Sequence, residues 1–393
     1  MHIAHFTNTY KPVINGVVRS VSAFRKALTA LGHNVFIFAQ QQNGYEDDEA
    51  FIFRYPSLPL PLSVDIPAVI PLSPFMDRLL PTLKLDVIHT HHPVLLGQAA
   101  ANKAEELDLP LVFTFHTQYR EYTHYVPFPQ EAVQEFIKDT VHSWLQDYLR
   151  RCQHIIIPSE SMRDILVAAY GLQGPYTIIP TGIELEPYQS ADSDRVRQEQ
   201  GWDDDQVMIS TGRLAKEKNW ELLLRATALA AKDHPDLRLV LLGDGPIRQE
   251  LEGLAVKLGI GERVTFMGKV PFEAVPAYLK AADFFGFAST TETQGLVTME
   301  ALAANLPVIA VDASGTRDIV QHEKQGLLVD EDQQALASAI DRLLSDQALY
   351  QRLRNATHSR AQQFEMKALA SNLTDVYRQA IQAKARGEFV QVE

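Results

Sequence analysis

Short apolar runs alternate with amphipathic stretches along the chain, and this alternation predicts strands that are each followed by a helix. Residues 3–7, 34–39 and 237–242 have the length and composition of buried strands. The stretch between the first two shows the apolar spacing of one helical face, and Gly32 marks its end. Apolar strands that alternate with helices are typical of a parallel sheet covered by helices. The pattern therefore predicts an α/β protein.

The most informative stretch, residues 289–302, is a turn between a strand and a helix. The apolar run 282–288 precedes it, a helical pattern covers Val297 to Ala304, and a second apolar run follows at 306–311. The stretch therefore lies inside a β-α-β unit, at the edge of the sheet where ligands bind in open α/β proteins.

The chemistry of this turn suits a phosphate with hydroxyl groups beside it. Gly295 allows close approach of the backbone to a ligand, and the N–H groups of Gly295, Leu296 and Val297 open the helix as an anion site. Glu292 and Glu300 flank this site. A carboxylate only accepts hydrogen bonds, so it suits a vicinal pair of sugar hydroxyls. The turn therefore predicts a nucleotide-sugar site.

Composition limits the remaining choices. At 393 residues the chain has room for two domains, and the acidic, polar stretch 184–206 is typical of a linker between them. The net charge of -13 argues against nucleic acid as a partner, because no basic surplus is present to neutralise phosphates. The single cysteine, Cys152, rules out an internal disulfide, fits a reducing compartment and is expected to be a buried structural residue.

The N-terminal residues lack the features of a signal peptide, and no apolar run is long enough to span a bilayer. We therefore expect a cytoplasmic protein and leave open a peripheral contact with the inner face of the cell membrane. Residues 56–81 are rich in proline and leucine, which prevents a long helix and fits either a packed loop or a lipid contact. The stretch 130–151 has an apolar stripe at helical spacing and is expected to pack on the core.

A second turn between a strand and a helix, residues 212–219, carries two cations. Arg213 presents a planar fork of donors and Lys218 a point charge, and both suit a phosphate. No Asp-x-Asp pair stands where a metal could bridge a pyrophosphate. We therefore expect these cations and the helix terminus to neutralise the leaving group, with no metal and no other cofactor.

The first half of the chain offers two further turns. A loop that ends in Gly16 follows the first strand, and His116 follows the strand 111–115, where catalytic groups stand in open α/β sheets. The aromatic residues Tyr119 and Tyr122 come next and suit a wall for an acceptor.

Three histidines, His89, His91 and His92, stand together near the end of another predicted strand. No acidic residue or cysteine is spaced to join them as a metal ligand. We therefore interpret them as polar lining of the ligand cleft rather than as a metal site.

Three of these stretches carry a family resemblance. The spacing Glu-x7-Glu of Glu292 and Glu300 resembles that of retaining glycosyltransferases of family 4, the glycosyl transferases group 1. Residues 212–219 resemble the pyrophosphate motif of the same family position by position. The loop 116–125 resembles that of bacterial glycosyltransferases that make glucosyl-diacylglycerol.

The resemblance implies the GT-B architecture, which has two Rossmann-like domains facing across a cleft. The expected parts are an acceptor-binding domain over residues 1–182, a nucleotide-sugar domain over 183–365 and a C-terminal helix over 366–393 that returns to the first domain. It implies catalytic roles for His116, Arg213, Lys218 and Glu292, and acceptor contacts for Tyr119 and Tyr122. The residues implied to contact the donor are Gly16, Gly268, Lys269, Thr293, Gln294, Gly295, Leu296, Val297 and Glu300.

The resemblance also implies an enzyme, a hexosyltransferase that retains the anomeric configuration. The leading hypothesis is transfer from UDP-glucose to a lipid acceptor such as diacylglycerol at the membrane surface. The alternatives are a GDP-mannose-dependent mannosyltransferase, a family 4 transferase with a soluble acceptor, and a non-catalytic nucleotide-binding module. The sequence does not indicate the oligomeric state.

Overall fold

The computed structural model describes residues 1–13, 15–42, 44–58, 68–116, 142–292 and 294–393. These residues form two compact units. Met1–Gly182 and Met366–Glu393 make up the first unit, and Ile183–Glu365 make up the second. Each unit has a central parallel sheet with an apolar core on each of its faces, because its strands are buried and apolar on both sides.

The strands of the first unit are mostly short and buried. They are β1 (His2–Thr7), β2 (Asn34–Gln40), β3 (Ile52–Tyr55), β4 (Ser57–Leu58), β5 (Ala68–Val69), β6 (Val87–Thr90), β7 (Leu111–Thr114), β8 (His154–Ile157), β9 (Leu172–Gly174), β10 (Tyr176–Ile178) and β17 (Gln391–Val392). Seven of them form one parallel sheet in the order β10-β8-β7-β6-β1-β2-β3. In it, His5 of β1 lies opposite His89 of β6. Two antiparallel pairs, β4 with β5 and β9 with β17, lie outside this sheet.

The helices of the first unit are α1 (Gly16–Ala30), α2 (Pro74–Leu79), α3 (Leu96–Glu106), α4 (142–149), α5 (Glu160–Tyr170) and α15 (Met366–Ala385). Side-chain caps fix the starts of α1, α2 and α5. The Asn15 side chain accepts a hydrogen bond from the Val18 N–H, and the Ser159 side chain accepts one from the Met162 N–H. The C-terminal helix α15 packs on α1 and buries Leu373 and Tyr377 in a core shared with that helix.

The strands of the second unit are β11 (Gln206–Thr211), β12 (Leu237–Leu242), β13 (Val264–Gly268), β14 (Phe284–Phe287), β15 (Val308–Val311) and β16 (Gly326–Val329). They form one parallel sheet in the order β13-β12-β11-β14-β15-β16. The helices of this unit are α6 (Glu186–Ser190), α7 (Ser193–Gln200), α8 (Trp220–Ala230), α9 (Arg248–Lys257), α10 (Val275–Ala281), α11 (Leu296–Ala303), α12 (Thr316–Ile319), α13 (Gln333–Ser345) and α14 (Gln347–Gln362).

The linker predicted over 184–206 is wrong. Its residues form α6, α7 and the start of β11, and Trp202 is 1% exposed in the core of the second unit together with Tyr188 and Val196. The polar composition misled because each of these helices buries a single side chain, Tyr188 in α6 and Val196 in α7, and leaves the rest partly or fully exposed.

The proline- and leucine-rich segment lies partly outside the described residues, at 59–67. Its described part includes the short helix α2, in which Met76 is buried, whereas Leu72 and Phe75 are 76% and 62% exposed. Of the amphipathic stretch 130–151, residues 142–151 are described, and Leu145 and Tyr148 are buried in the core as predicted. Among the described residues we find no helix with the length and apolar character needed to cross a membrane.

Candidate active site

The order of strands in the second unit creates one point at which consecutive connections diverge. The chain leaves β11 toward β12 and β13 on one side and then returns to β14 on the other side, so β11 and β14 are neighbours. The turns that follow these two strands meet at the carboxyl edge of the sheet, which is the position where open α/β sheets bind ligands. The turn after β11 carries Arg213 and Lys218, and the turn after β14 carries Glu292.

Hydrogen bonds join the two turns directly. The Lys218 ammonium donates to Oε1 of Glu292, and the Ser289 hydroxyl donates to the same oxygen at 2.9 Å. The two side chains of the ion pair are only 24% and 17% exposed, respectively. The Thr291 hydroxyl donates to the backbone oxygen of Glu217. Glu292 is therefore held in place by neighbours on both turns.

The Arg213 side chain is more exposed than that of Lys218. Its guanidinium donates to Oε1 of Glu217 at 2.9 Å, but its side chain is 59% exposed. The backbone oxygen of Arg213 accepts a hydrogen bond from the Trp220 indole, which ties the turn to the start of α8. An exposed ion pair of this kind contributes little stability.

Two glycines shape the turn that carries Glu292. Gly295 caps α11 in the left-handed conformation with φ of 67°. Gly315 has φ of 76°, and a Cβ placed on it would lie 2.6 Å from the backbone oxygen of Glu292. The sequence predicted the first glycine but did not single out the second, because the close approach joins residues more than twenty positions apart.

The remaining residues predicted for the second unit differ in exposure. Glu300 is 3% exposed and Gln294 is 4% exposed, whereas Leu296 and Val297 at the start of α11 are half-buried. The burial of Glu300 sets it apart from an ordinary surface glutamate of a helix, because carboxylates are seldom buried without partners. Thr293 lies outside the described residues.

Gly268 is the last residue of β13, and Lys269 follows it on the same edge of the sheet. The Gly268 backbone oxygen accepts a hydrogen bond from the Gly243 N–H at 2.9 Å. Gly243 also packs on Gly212, because a Cβ placed on Gly243 would lie 1.9 Å from the Gly212 backbone oxygen. Lys269 is exposed. Close backbone contacts therefore join the ends of β11, β12 and β13.

In the first unit the chain leaves β1 toward β2 and β3 on one side and returns to β6 on the other side. A cluster of histidines lies where β1 and β6 are neighbours. His91 Nδ1 lies 2.9 Å from His116 Nε2, and His91 Nε2 lies 2.8 Å from His5 Nδ1. His89 Nε2 lies 2.6 Å from the Thr114 hydroxyl. The sequence did not single out His5, because its place beside His89 depends on the pairing of β1 with β6.

The interpretation of His89 and His91 as lining of an open cleft is corrected by their burial, since their side chains are 2% and 1% exposed. They border a cavity of about 10 Å3 inside the first unit, which is close to the room that one water molecule needs. His92, the third histidine of the group, accepts a hydrogen bond from the Asn8 N–H at 3.1 Å instead.

Burial keeps these histidines neutral at pH 7. It lowers the pKa of His5 to about 3, with a smaller effect from Arg25, and it lowers the pKa of His116 to about 3, with a smaller effect from His92. It also holds the pKa of His89 and of His91 well below the ordinary value. His116 therefore offers a neutral imidazole. One of its ring nitrogens donates a hydrogen bond and the other accepts one, and the tautomer decides which nitrogen does which.

The four other residues predicted for the first unit have different outcomes. Gly16 is the first residue of α1, directly after the cap formed by Asn15. Tyr119 and Tyr122 lie outside the described residues. Cys152 is buried, as predicted, and burial raises the pKa of its thiol far above the ordinary range.

Two parallel-sheet α/β units, each with polar turns at its strand ends, define a glycosyltransferase of the GT-B class, and two family models match the chain. The model described as Glycosyltransferase Family 4 matches residues 14–187, and the model described as Glycosyl transferases group 1 matches residues 192–360. The chain belongs to this family of glycosyltransferases. The predicted family, fold class and enzyme class are thereby confirmed.

Similar sequences have related activities. The chain is 34% identical to an alpha-monoglucosyldiacylglycerol synthase of Streptococcus pneumoniae over 79% of this chain and 71% of the relative. It is 31% identical to a synthase of the same name from Acholeplasma laidlawii, over 86% and 87%. It is 29% identical to a GDP-mannose-dependent alpha-mannosyltransferase of Mycolicibacterium smegmatis, over 89% and 90%.

Solved structures support the fold. The sucrose-phosphate synthase of Thermosynechococcus elongatus has a TM-score of 0.79 at 24% identity, and the match covers 97% of this chain and 99% of that one. The Anabaena HepE protein in complex with UDP and glucose has a TM-score of 0.74 at 20% identity, over 96% and 99%.

Proposed function

We propose that the protein transfers glucose from UDP-glucose to diacylglycerol, with retention of the anomeric configuration and without a metal ion. The observation that carries the proposal is the Lys218–Glu292 pair, which joins the turns that follow the neighbouring strands β11 and β14. The chain that carries this pair is 34% and 31% identical to two alpha-monoglucosyldiacylglycerol synthases. The expected localisation is peripheral, at the inner face of the cell membrane.

The donor would be held by the second unit through complementary charge. Lys218, Arg213 and the N-terminus of α11 supply positive charge for the diphosphate. The Lys218 ammonium has three donors, so it can keep its bond to Glu292 and still bind a phosphate oxygen. Glu292 and Glu300 would accept hydrogen bonds from the sugar hydroxyls. The cations then take the role that a metal has in other transferases.

The reaction exchanges one bond at the anomeric carbon for another on the same face. The bond from this carbon to the phosphate oxygen breaks, a bond to the acceptor oxygen forms, and the acceptor proton passes to the departing phosphate. His116 would contact the sugar by a hydrogen bond and would not act as a general base, because its pKa of about 3 leaves it neutral and weakly basic at pH 7. No side chain has to act as a strong base in this course.

The acceptor assignment draws on the names of the relatives and on apolar surface in the first unit. Leu72 and Phe75, within the proline- and leucine-rich segment 56–81, expose most of their side chains. Exposed apolar residues of this kind favour contact with a lipid surface.

A transfer assay tests the proposal directly. Purified protein is incubated with liposomes that contain diacylglycerol and with radiolabelled UDP-glucose, with and without a chelator. We expect a labelled glycolipid whose NMR spectrum shows the α-anomer, at a rate that the chelator does not change. Glu292→Gln should abolish the product, whereas Lys216→Ala, a change of an exposed residue on the Lys218 turn, should not. Absence of glycolipid with the unmodified protein would contradict the acceptor, and a β-anomer would contradict retention.

A GDP-mannose-dependent mannosyltransferase is the second candidate, and the 29% identity over 89% of the chain favours it. The two donors can be separated by thermal unfolding, because a ligand of the native state raises the midpoint. A rise with UDP and UDP-glucose alone supports the first candidate. A rise with GDP and GDP-mannose alone would replace it with the second.

A further inference from the structure

The histidine cluster of the first unit continues through a tyrosine of the C-terminal helix. The Tyr377 hydroxyl on α15 lies 3.3 Å from His5 Nε2 and 2.8 Å from His89 Nδ1. Together with the contacts given above, this produces one unbranched chain of hydrogen bonds. Its members, in order, are His116, His91, His5, Tyr377, His89 and Thr114.

Each link of this chain restricts the next. A neutral imidazole carries one N–H donor and one acceptor nitrogen, and a tyrosine hydroxyl has a single hydrogen to donate. If both His5 and His89 donated to Tyr377, its buried hydroxyl hydrogen would have no acceptor in the chain, and Tyr377 cannot donate to both. Buried polar groups that lack a partner are costly, so the hydroxyl accepts from one histidine and donates to the other.

This requirement leaves two complete arrangements. In one, every histidine of the chain carries its proton on Nε2, and the donation runs from His116 to Thr114. In the other, every histidine carries its proton on Nδ1, and the donation runs from Thr114 to His116. The first arrangement makes His116 Nδ1 an acceptor and the second makes it a donor. That nitrogen makes no hydrogen bond to any of the described residues, so it is the end of the chain that remains for a ligand.

We propose that Tyr377 is a positioning residue that ties the tautomer of His116 to that of His89, so that the four histidines of the chain always share one tautomer. The functional part of this inference rests on the proposed contact of His116 with the donor sugar. Through the chain, the C-terminal helix couples the tautomer of His89 to the hydrogen bond, donated or accepted, that His116 Nδ1 makes with a sugar hydroxyl.

A metal ion is the competing explanation for the cluster. Ring nitrogens of His5, His89 and His91 lie within 4.8 Å of one another, which is close enough for a shared ion. Two of these histidines, His5 and His91, already bond each other at 2.8 Å, and no carboxylate among the described residues joins the group to balance a buried cation. Hydrogen bonding therefore accounts for the geometry better than metal binding.

Two-bond 1H–15N correlation spectra of protein labelled with 15N-histidine test the inference without any substrate, because they show which nitrogen of each neutral ring is protonated. We expect His5, His89, His91 and His116 to share one tautomer in the unmodified protein. His92, which accepts from the Asn8 N–H and is outside the chain, serves as an internal reference for the Nε2–H form. Different tautomers among the four, or one equivalent of tightly bound zinc by elemental analysis, would overturn the inference.

Tyr377→Phe removes the hydroxyl and keeps the ring. We expect the tautomer of His116 to become mixed or to differ from that of His89, and kcat to fall ~10-fold with unchanged affinity for UDP. Tyr148→Phe is the matched control, because it removes a buried hydroxyl of the same unit that bonds Thr90 and Gly97 instead, and it should change neither. A Tyr377→Phe protein with unaltered His116 signals would also overturn the inference. The spectra do not depend on the sugar or acceptor, so a failure of the proposed substrates leaves this test intact.

Discussion

Acidification should destabilise the first unit far more than the second, because the first unit buries neutral histidines. His5, His89, His91 and His154 are at most 4% exposed, and burial lowers the pKa of each. In the unfolded chain they titrate at about pH 6.5. The stability that they contribute is thus fully present above pH 6.5 and is lost as the pH falls below that value, where the unfolded state binds more protons.

The size of the effect follows from proton linkage. Between pH 7 and pH 5.5 each of these histidines gains protons in the unfolded state alone, which costs about 1.2 kcal/mol of unfolding free energy. Four of them cost about 5 kcal/mol, which is comparable with the total stability of many domains. Carboxyl groups ordinarily titrate at lower pH and add little in this window. The half-buried His92 and His116 act in the same direction.

The assay is urea unfolding at pH 7 and pH 5.5, followed by a brief hydrogen-exchange pulse and mass spectrometry, so that peptides from each unit are read separately. We expect the urea midpoint of the first unit to fall by about 2 M, from the loss of free energy and a typical denaturant slope. The second unit is the internal control, because none of its three histidines, His234, His322 and His358, is buried in the described structure. Equal shifts of both units, or a shift of the first unit below about 0.5 M, would refute the reasoning.

Three further changes test the second unit. Gly315→Ala should lower kcat/KM at least ~10-fold, because its Cβ would displace the turn that carries Glu292. Gly259→Ala is the control: Gly259 has a similar φ of 74° but open space around it, so this change should cost only about 1 kcal/mol of stability and leave the activity normal. Lys218→Ala should reduce kcat/KM by roughly 10- to 100-fold in a steady-state assay, since it removes a charged hydrogen bond to Glu292 and the phosphate contact proposed for this ammonium. Trp202→Ala should lower the unfolding free energy of the second unit alone by about 3–5 kcal/mol in urea titrations.

Each of these changes has an outcome that would contradict it. If Gly315→Ala and Gly259→Ala had the same activity, the close approach of the Gly315 backbone to the Glu292 turn would have no role. Full activity of the Lys218→Ala protein would remove the cation from the proposed donor site. A midpoint that Trp202→Ala leaves unchanged would mean that the segment 184–206 behaves as a linker after all.

The sequence by itself determined the elements and the chemistry of the turns. Apolar runs predicted β12 at Leu237–Leu242 to the residue and most other strands to within one or two, because a strand buried on both faces needs a continuous apolar run. The burial of Cys152 was also readable from the sequence, since it depends on the residue type and its local surroundings. Glu292 and Lys218 could be predicted as site residues because their motifs are contiguous.

Only the tertiary structure decided which distant residues meet. The neighbouring positions of β11 and β14 bring Lys218 to Glu292. The pairing of β1 with β6 brings His5 to His91, and the pairing of β6 with β7 brings His91 to His116. Tyr377 joins them from a helix more than 280 residues beyond His89 in the chain. Strand order and helix docking are set by the sum of many long-range packing contacts, so no short sequence pattern records them.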